Sequence, residues 1–283
     1  MKISLAVLLV LLFTSVGFGQ ETSTDEFTDA IEDNSFFIEE AYNQETKVVQ
    51  HIFTGVSFGE ANRRYDYTFT QEWPIWGQEH QFSFTLPYTS LGQQYSDGIG
   101  DIMINYRYQL TPVRSSLVLA PRLSLILPTG TSLTGISNGF LGGQVNIPAS
   151  KRLSNDFIIH ANAGFTVLQN EAVSMNWIGS FEVTKRTFVS YNIGGSLIWL
   201  ATQNVNFMLE AVNNINNDFE MYSTETETTN EFIVHPAVRC AIDINTLQIV
   251  PGIGVPFRIT DEGTDVGVFL YLSFEHPYGA GSN

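Results

Sequence analysis

From Lys47 onward the chain alternates between apolar and polar side chains. A period of two sends successive side chains to opposite faces of a strand, so each such stretch predicts a strand with two unlike faces. In Asp101 to Leu110, the residues Ile102, Ile104, Tyr106, Tyr108 and Leu110 share one face; Asp101, Met103, Asn105, Arg107 and Gln109 share the other. Arg64 to Trp73 sets Tyr65, Tyr67, Phe69 and Trp73 against Asp66, Thr68, Thr70 and Glu72. Glu79 to Tyr88 sets Phe82, Phe84 and Leu86 against Gln81, Ser83 and Thr85. About twelve strands are expected, near 47–59, 64–74, 79–88, 100–110, 116–128, 138–148, 156–168, 186–200, 204–214, 230–241, 246–258 and 265–275. Most reach the roughly 9–11 residues a tilted strand needs to cross a bilayer.

The character of the two faces chooses between a soluble sandwich and a membrane barrel. The apolar faces carry large aromatics, and the polar faces carry Asn, Gln, Ser and Thr with an occasional charge of either sign. That combination suits an inside-out barrel with a wet lumen and an apolar exterior, giving one all-β, transmembrane antiparallel β-barrel. An even strand count puts both ends in the periplasm. Connections are expected to be short after the even strands (75–78, 111–115, 149–155, 201–203, 241–245) and mostly longer elsewhere. Ala172 to Thr184 could form a strand, but a thirteenth would break the parity, so it reads as loop. Trp73, Trp76, Tyr108, Trp199 and Phe274 then share the periplasmic end, half of an aromatic girdle.

Before Lys47 the pattern differs. Met1 to Gly19 has one Lys, an apolar run from Ile3 to Phe18 and small residues at Gly17 and Gly19, the grammar of a cleaved signal peptide. Residues 20–46 form an N-terminal periplasmic segment, polar and acidic at first. Within it, Ser35 to Thr46 can make a short amphipathic helix with Phe37, Ala41 and Ile38 on one side. It is expected to rest against the barrel mouth; a plug inside the lumen is the alternative. The barrel is expected over 47–276, with 277–283 as a tail.

Charged residues are only 15% of the chain, well under the quarter usual in soluble domains, while aromatics reach 13%. A net charge of −16 leaves no basic stripe for phosphates and excludes nucleic acid as a partner. The acids cluster in Glu21 to Glu45 and Asp218 to Glu231, which read as solvated stretches. Cys240 is the only cysteine, so no intrachain disulfide can form. The five histidines show no metal-ligand spacing, and no nucleophile-elbow, zinc-protease or phosphate-loop motif occurs, so neither cofactor nor metal is implied. His160 with Ser124 could mimic the Ser–His pair of a barrel lipid hydrolase, but both fall on lumen positions and no orienting third group is evident. Alternation also sends Asp66, Glu72, Asp101, Arg107, Arg122, Glu210, Arg239 and Arg258 inward. These form either a ladder of structural ion pairs or a constriction that selects solutes.

Gly98-Ile-Gly100-Asp101 followed by IMINYRYQL, APRLSLILPTG over Ala120 to Gly130, and the early segments FIEEAYNQE, VVQH, FTQEWP and HQFSFTLP carry a resemblance. They resemble the outer-membrane barrel proteins named for the meta-pathway of phenol degradation. The resemblance covers most of the mature chain and implies a channel or transporter in a Gram-negative outer membrane, passing small, hydrophobic or aromatic molecules. It brings no catalytic residue. A non-transporting barrel that anchors partners through Asn217 to Glu231 is the alternative, and a barrel lipid hydrolase a more distant one. HPYGAGSN after Phe274 and Glu275 departs from barrels whose last strand ends on an aromatic residue.

Overall fold

A computed structural model describes residues 35–59, 64–90, 97–130, 136–137, 139–175, 181–219 and 224–278. The leader expected over 1–19, residues 20–34 and the last five residues of the tail lie outside the described residues. The chain forms a closed, antiparallel barrel of twelve strands. They are β1 (Val48–Phe58), β2 (Arg64–Pro74), β3 (His80–Ser90), β4 (Gly98–Ile99 and Ile102–Tyr108), β5 (Val118–Leu119 and Arg122–Leu127) and β6 (Gly142–Arg152). β7 (Phe157–Met175), β8 (Phe181–Leu200), β9 (Val205–Phe219), β10 (Thr226–Cys240), β11 (Leu247–Gly254 and Phe257–Thr260) and β12 (Gly263–Pro277) complete it. A further short piece, Ile242–Ile244, pairs with the start of β11. Each strand pairs with its neighbour in sequence, and β1 pairs with β12 from Val48↔Pro277 to Phe58↔Gly267, which leaves no free edge.

The faces follow the alternation. Phe53, Tyr67, Leu123, Leu125, Ile147, Phe165, Leu197, Leu209, Val268 and Leu270 are all exposed on the outside. Gln50, Gln81, Asn105, Ser124, Asn146, Ser196 and Ser273 are buried inside. Exposed leucines around a polar interior would be untenable in water and are the stable arrangement in lipid. At the end where the chain enters β1 and leaves β12, Trp73 packs on Phe82, Trp199 on Phe207 and Phe53 on Phe274. Tyr65, Tyr67 and Tyr88 line up at the opposite end. The two groups are the girdles of a membrane barrel, and by the barrel rule the end where the chain enters β1 and leaves β12 is the periplasmic one.

Several strands differ from the sequence expectation. The described residues of this range, 172–175 and 181–184, are the paired ends of β7 and β8, not loop and not a separate strand. β7 and β8 stay paired from Phe157↔Trp199 up to Met175↔Phe181, so the hairpin runs past the point where alternation stops being informative. Parity survives because both strands lengthen together. β9 and β10 extend likewise, with Phe219↔Thr226 as their last pair, so much of Asn217 to Glu231 is strand. These extensions shorten the outer connections and weaken the expected contrast in length. β11 is broken at Val255–Pro256, because proline has no N–H to give to the ladder. β12 runs to Pro277, and the Tyr278 hydroxyl donates to Pro74 O at 3.2 Å, so Pro277, expected in the tail, belongs to the barrel. The periplasmic turn between β2 and β3 reverses within five residues, with Trp76 at φ 58° and Gly77 at φ 116°. Gly77 relieves the strain of the second left-handed residue.

The N-terminal segment is not a helix. Residues 35–47 run without regular secondary structure. They lie inside the barrel as a plug, not against its mouth as the sequence led one to expect. The helical period failed because the stretch buries both of its sides, against opposite walls of the lumen.

Candidate functional site

The site is the lumen. Its floor is the strap Ser35 to Glu45, which crosses from the β8–β9 wall at Ser35 to the β3–β4 wall at Gln44 and then leads into β1 at the periplasmic mouth. An irregular backbone buried in a barrel must satisfy its amides with side chains, since no strand partner exists. The inner faces supply them in sequence. The Gln44 and Asn43 N–H groups donate to Gln81 Oε1 at 2.7 Å and Gln109 Oε1 at 3.0 Å. The Ala41 and Glu39 N–H groups donate to Ser150 Oγ and Asn162 Oδ1, both at 2.7 Å. Glu210 Oε1 then accepts from the N–H of Phe36, Phe37 and Ile38 at 2.9, 3.1 and 3.2 Å. The other carboxylate oxygen, Oε2, lies 2.8 Å from His235 Nδ1, and both side chains are fully buried.

Charge fixes the middle of the strap. Arg107, 2% exposed, donates to Asn43 Oδ1 at 2.8 Å, Tyr42 O at 2.5 Å, Gln81 Oε1 at 3.0 Å and Glu40 Oε1 at 3.3 Å. Arg122 reaches Glu39 at 3.0 Å and also holds Asn105, Ser124 and Gln144, each at 2.9 Å. A buried guanidinium is tolerable only when its five N–H groups are matched in this way. Apolar contacts fix the tip. Phe36 stacks on Tyr271 and Phe269 with ring centroids 4.8 and 5.2 Å apart, and Ile38 packs on Val212 and Ile233. Two wall glycines make the room: a Cβ on Gly252 would sit 2.3 Å from Phe36 Cζ, and one on Gly194 2.6 Å from Ile38 Cδ1.

Above the strap lies a chamber of about 580 Å³, bounded by the outer halves of the strands. Phe36, Phe37, Ile52, Val56, Phe269 and Tyr271 make an apolar side, and Arg122, Asn105, Gln144, Asn146 and Asn192 a polar one. Thr54 and Thr68, 2.6 Å apart, and Thr70 and Thr85, 3.0 Å apart, line part of the wall with methyl and hydroxyl groups.

The inward charges expected from the sequence do not form one group. Arg107, Arg122 and Glu72 meet at the strap, Glu72 being 4.0 Å from Arg107 and bonded to Gln81 at 2.7 Å. Their main acidic partners are Glu39 and Glu40, not Asp101. Asp101 accepts the Gly130 N–H at 3.1 Å and the Ser137 hydroxyl, which holds the β5–β6 connection onto β4. Asp66 pairs with Arg64 at 2.8 Å and accepts from Thr89 at 2.7 Å near the outer rim. Arg258 pairs with Asp265 at 2.6 Å and lies over the Phe58 ring, also toward that rim. Glu210 anchors the tip, and Arg239 is buried in the lower lumen beneath Phe36. His160 does not meet Ser124: its Nδ1 lies 2.7 Å from Ser150 Oγ, the hydroxyl that accepts the Ala41 N–H. That Ser–His pair is fully buried under the strap and holds it. Among the described residues no group of three or more His, Cys, Asp or Glu is placed to hold a metal ion.

Glu39, Glu40, Asn43 and His235 were not singled out by the sequence. Glu39 and Glu40 belong to an acidic stretch that reads as solvated. The usable signal was on the wall, in inner faces rich in amides and hydroxyls that demand partners.

No protein-family model and no curated protein matches the chain. Solved structures do. An outer membrane channel from Pseudomonas putida F1 is similar with a TM-score of 0.57 and 10% identity, over 84% of this chain and 98% of that one. The NanC porin is similar with a TM-score of 0.50 and 11% identity, over 79% and 98%. At such identities the likeness speaks for the fold alone. With the apolar belt and the girdles it makes this chain an outer-membrane β-barrel.

Proposed function

We propose that the protein is an outer-membrane channel for small molecules with an apolar or aromatic part, and that residues 35–45 close its periplasmic side. The observation that carries this reading is the chamber above the strap. Its apolar side is made largely of Phe36, Phe37, Phe269 and Tyr271, and its volume of about 580 Å³ matches a small-molecule site. The resemblance to the phenol meta-pathway barrels and the likeness to channel structures support the same reading. Movement of solute from chamber to periplasm requires the strap to shift. A strap held by hydrogen bonds to side chains can do so without breaking the barrel's own ladder.

The test is uptake into liposomes containing the purified protein, comparing a small neutral aromatic alcohol with a sugar. The aromatic solute should enter faster, relative to protein-free vesicles, than the sugar does. Equal entry of both would make the lumen a non-selective pore, and entry of neither would remove the channel reading.

A further inference from the structure

On the outer face, where the first and last strands close the barrel, two histidines meet. His51 of β1 and His276 of β12 lie at adjacent register positions, with His51 opposite Phe274 and His276 opposite Val49. Their Nε2 atoms are 3.3 Å apart and their ring centroids 5.4 Å, with 23° between the ring planes, so the imidazoles meet tip to tip. His276 Nδ1 lies 3.1 Å from Pro277 O. Only a protonated Nδ1 can donate to that carbonyl, which leaves Nε2 as a lone pair aimed at its neighbour. His51 Nε2–H can donate to that lone pair, and loss of this proton to an incoming ion leaves two facing lone pairs; a ring nitrogen held by a carbonyl in this way also orients histidines that ligate metals.

Two imidazoles on one tetrahedral metal, at about 2.0–2.1 Å each, have their nitrogens about 3.3–3.4 Å apart. The observed separation matches before any metal is present, and small rotations of the rings would bring both lone pairs onto one ion. We propose that His51 and His276 form a labile site for a borderline divalent cation, Zn²⁺ or Cu²⁺, on the periplasmic rim of the barrel seam. Its remaining coordination positions are open to water or to lipid headgroups. The pair is partly exposed beside Phe69, so an ion can reach it without entering the lumen. Because the site bridges β1 and β12, the ion cross-links the strand pair that closes the barrel.

The experiment uses the full mature protein in detergent micelles, with ZnCl₂ as the probe and calorimetric titration near pH 7.5. One Zn²⁺ per chain should bind, and His51→Gln or His276→Gln should weaken binding at least tenfold. Zn²⁺ should raise the unfolding temperature of the wild type and leave that of either variant unchanged. Binding of equal strength in the variants would overturn the site, as would no binding by the wild type at millimolar Zn²⁺. Should a variant fail to fold, Cu²⁺ spin resonance on the wild type decides: two equivalent imidazole nitrogens support the site, and none or one refutes it.

Discussion

Replacing Glu210 by Gln would cut the tip of the strap loose and keep the barrel. The two side chains are nearly isosteric, and Glu210 has no exposed surface, so the change is electronic. The carboxylate accepts from Phe36, Phe37 and Ile38 through Oε1 and faces His235 Nδ1 through Oε2. Gln keeps one acceptor and turns an NH₂ toward a donor. A hydrogen bond to a charged group contributes about 1.5–3 kcal/mol, and an unsatisfied buried donor costs about 1–3 kcal/mol. Part of this is recovered by the remaining carbonyl, so a net loss of about 2–4 kcal/mol is expected for the strapped state. At about 1.4 kcal/mol per factor of ten, the unstrapped population rises roughly thirtyfold to a thousandfold. Planar-bilayer recordings would read this as more frequent or longer openings, with heat-modifiable gel migration unchanged. Closed-state statistics identical to wild type in a folded variant would refute the idea that Glu210 holds the strap.

Gly252→Ala should act on the same strap by volume, since its Cβ would lie 2.3 Å from Phe36 Cζ; flux should rise, and a fall or no change would contradict the packing. Arg122 lines the chamber with its side chain 17% exposed, so Arg122→Gln should shift ion preference toward cations in reversal-potential measurements, whereas Arg107, almost wholly covered, should contribute less. Leu125→Arg, on the lipid face, should cost about 2–4 kcal/mol if near the midplane, and Thr85→Arg, on the chamber wall, much less; unfolding titrations in lipid vesicles that reverse this order would show the register to be wrong.

The barrel was legible because membrane strands carry their environment in every second residue. Ile104 and Asn105 differ in face because side chains alternate along a strand, and Trp73, Trp76 and Trp199 fall at one end because indole rings prefer the headgroup layer. The plug was hidden for a physical reason. Its amides are met by Gln81, Gln109, Ser150, Asn162 and Glu210, none of them near it in sequence except through the folded barrel. Glu39 and Glu40 read as solvated acids until the wall arginines that neutralise them are brought alongside. The ends of β7 and β8 were hidden differently. Beyond the membrane both faces of a hairpin meet water, so the two-faced signal fades while the hydrogen bonds continue.

The most direct measurement of whether the lumen is a solute path governed by its strap is aromatic-solute uptake by liposomes holding the protein from residue 20 onward, with and without residues 20–45. Slow, saturable uptake is expected with residues 20–45 present and faster uptake after their removal, with the barrel assembled in both. Failure of both forms to pass any solute, while both remain folded, would contradict a solute path through the lumen.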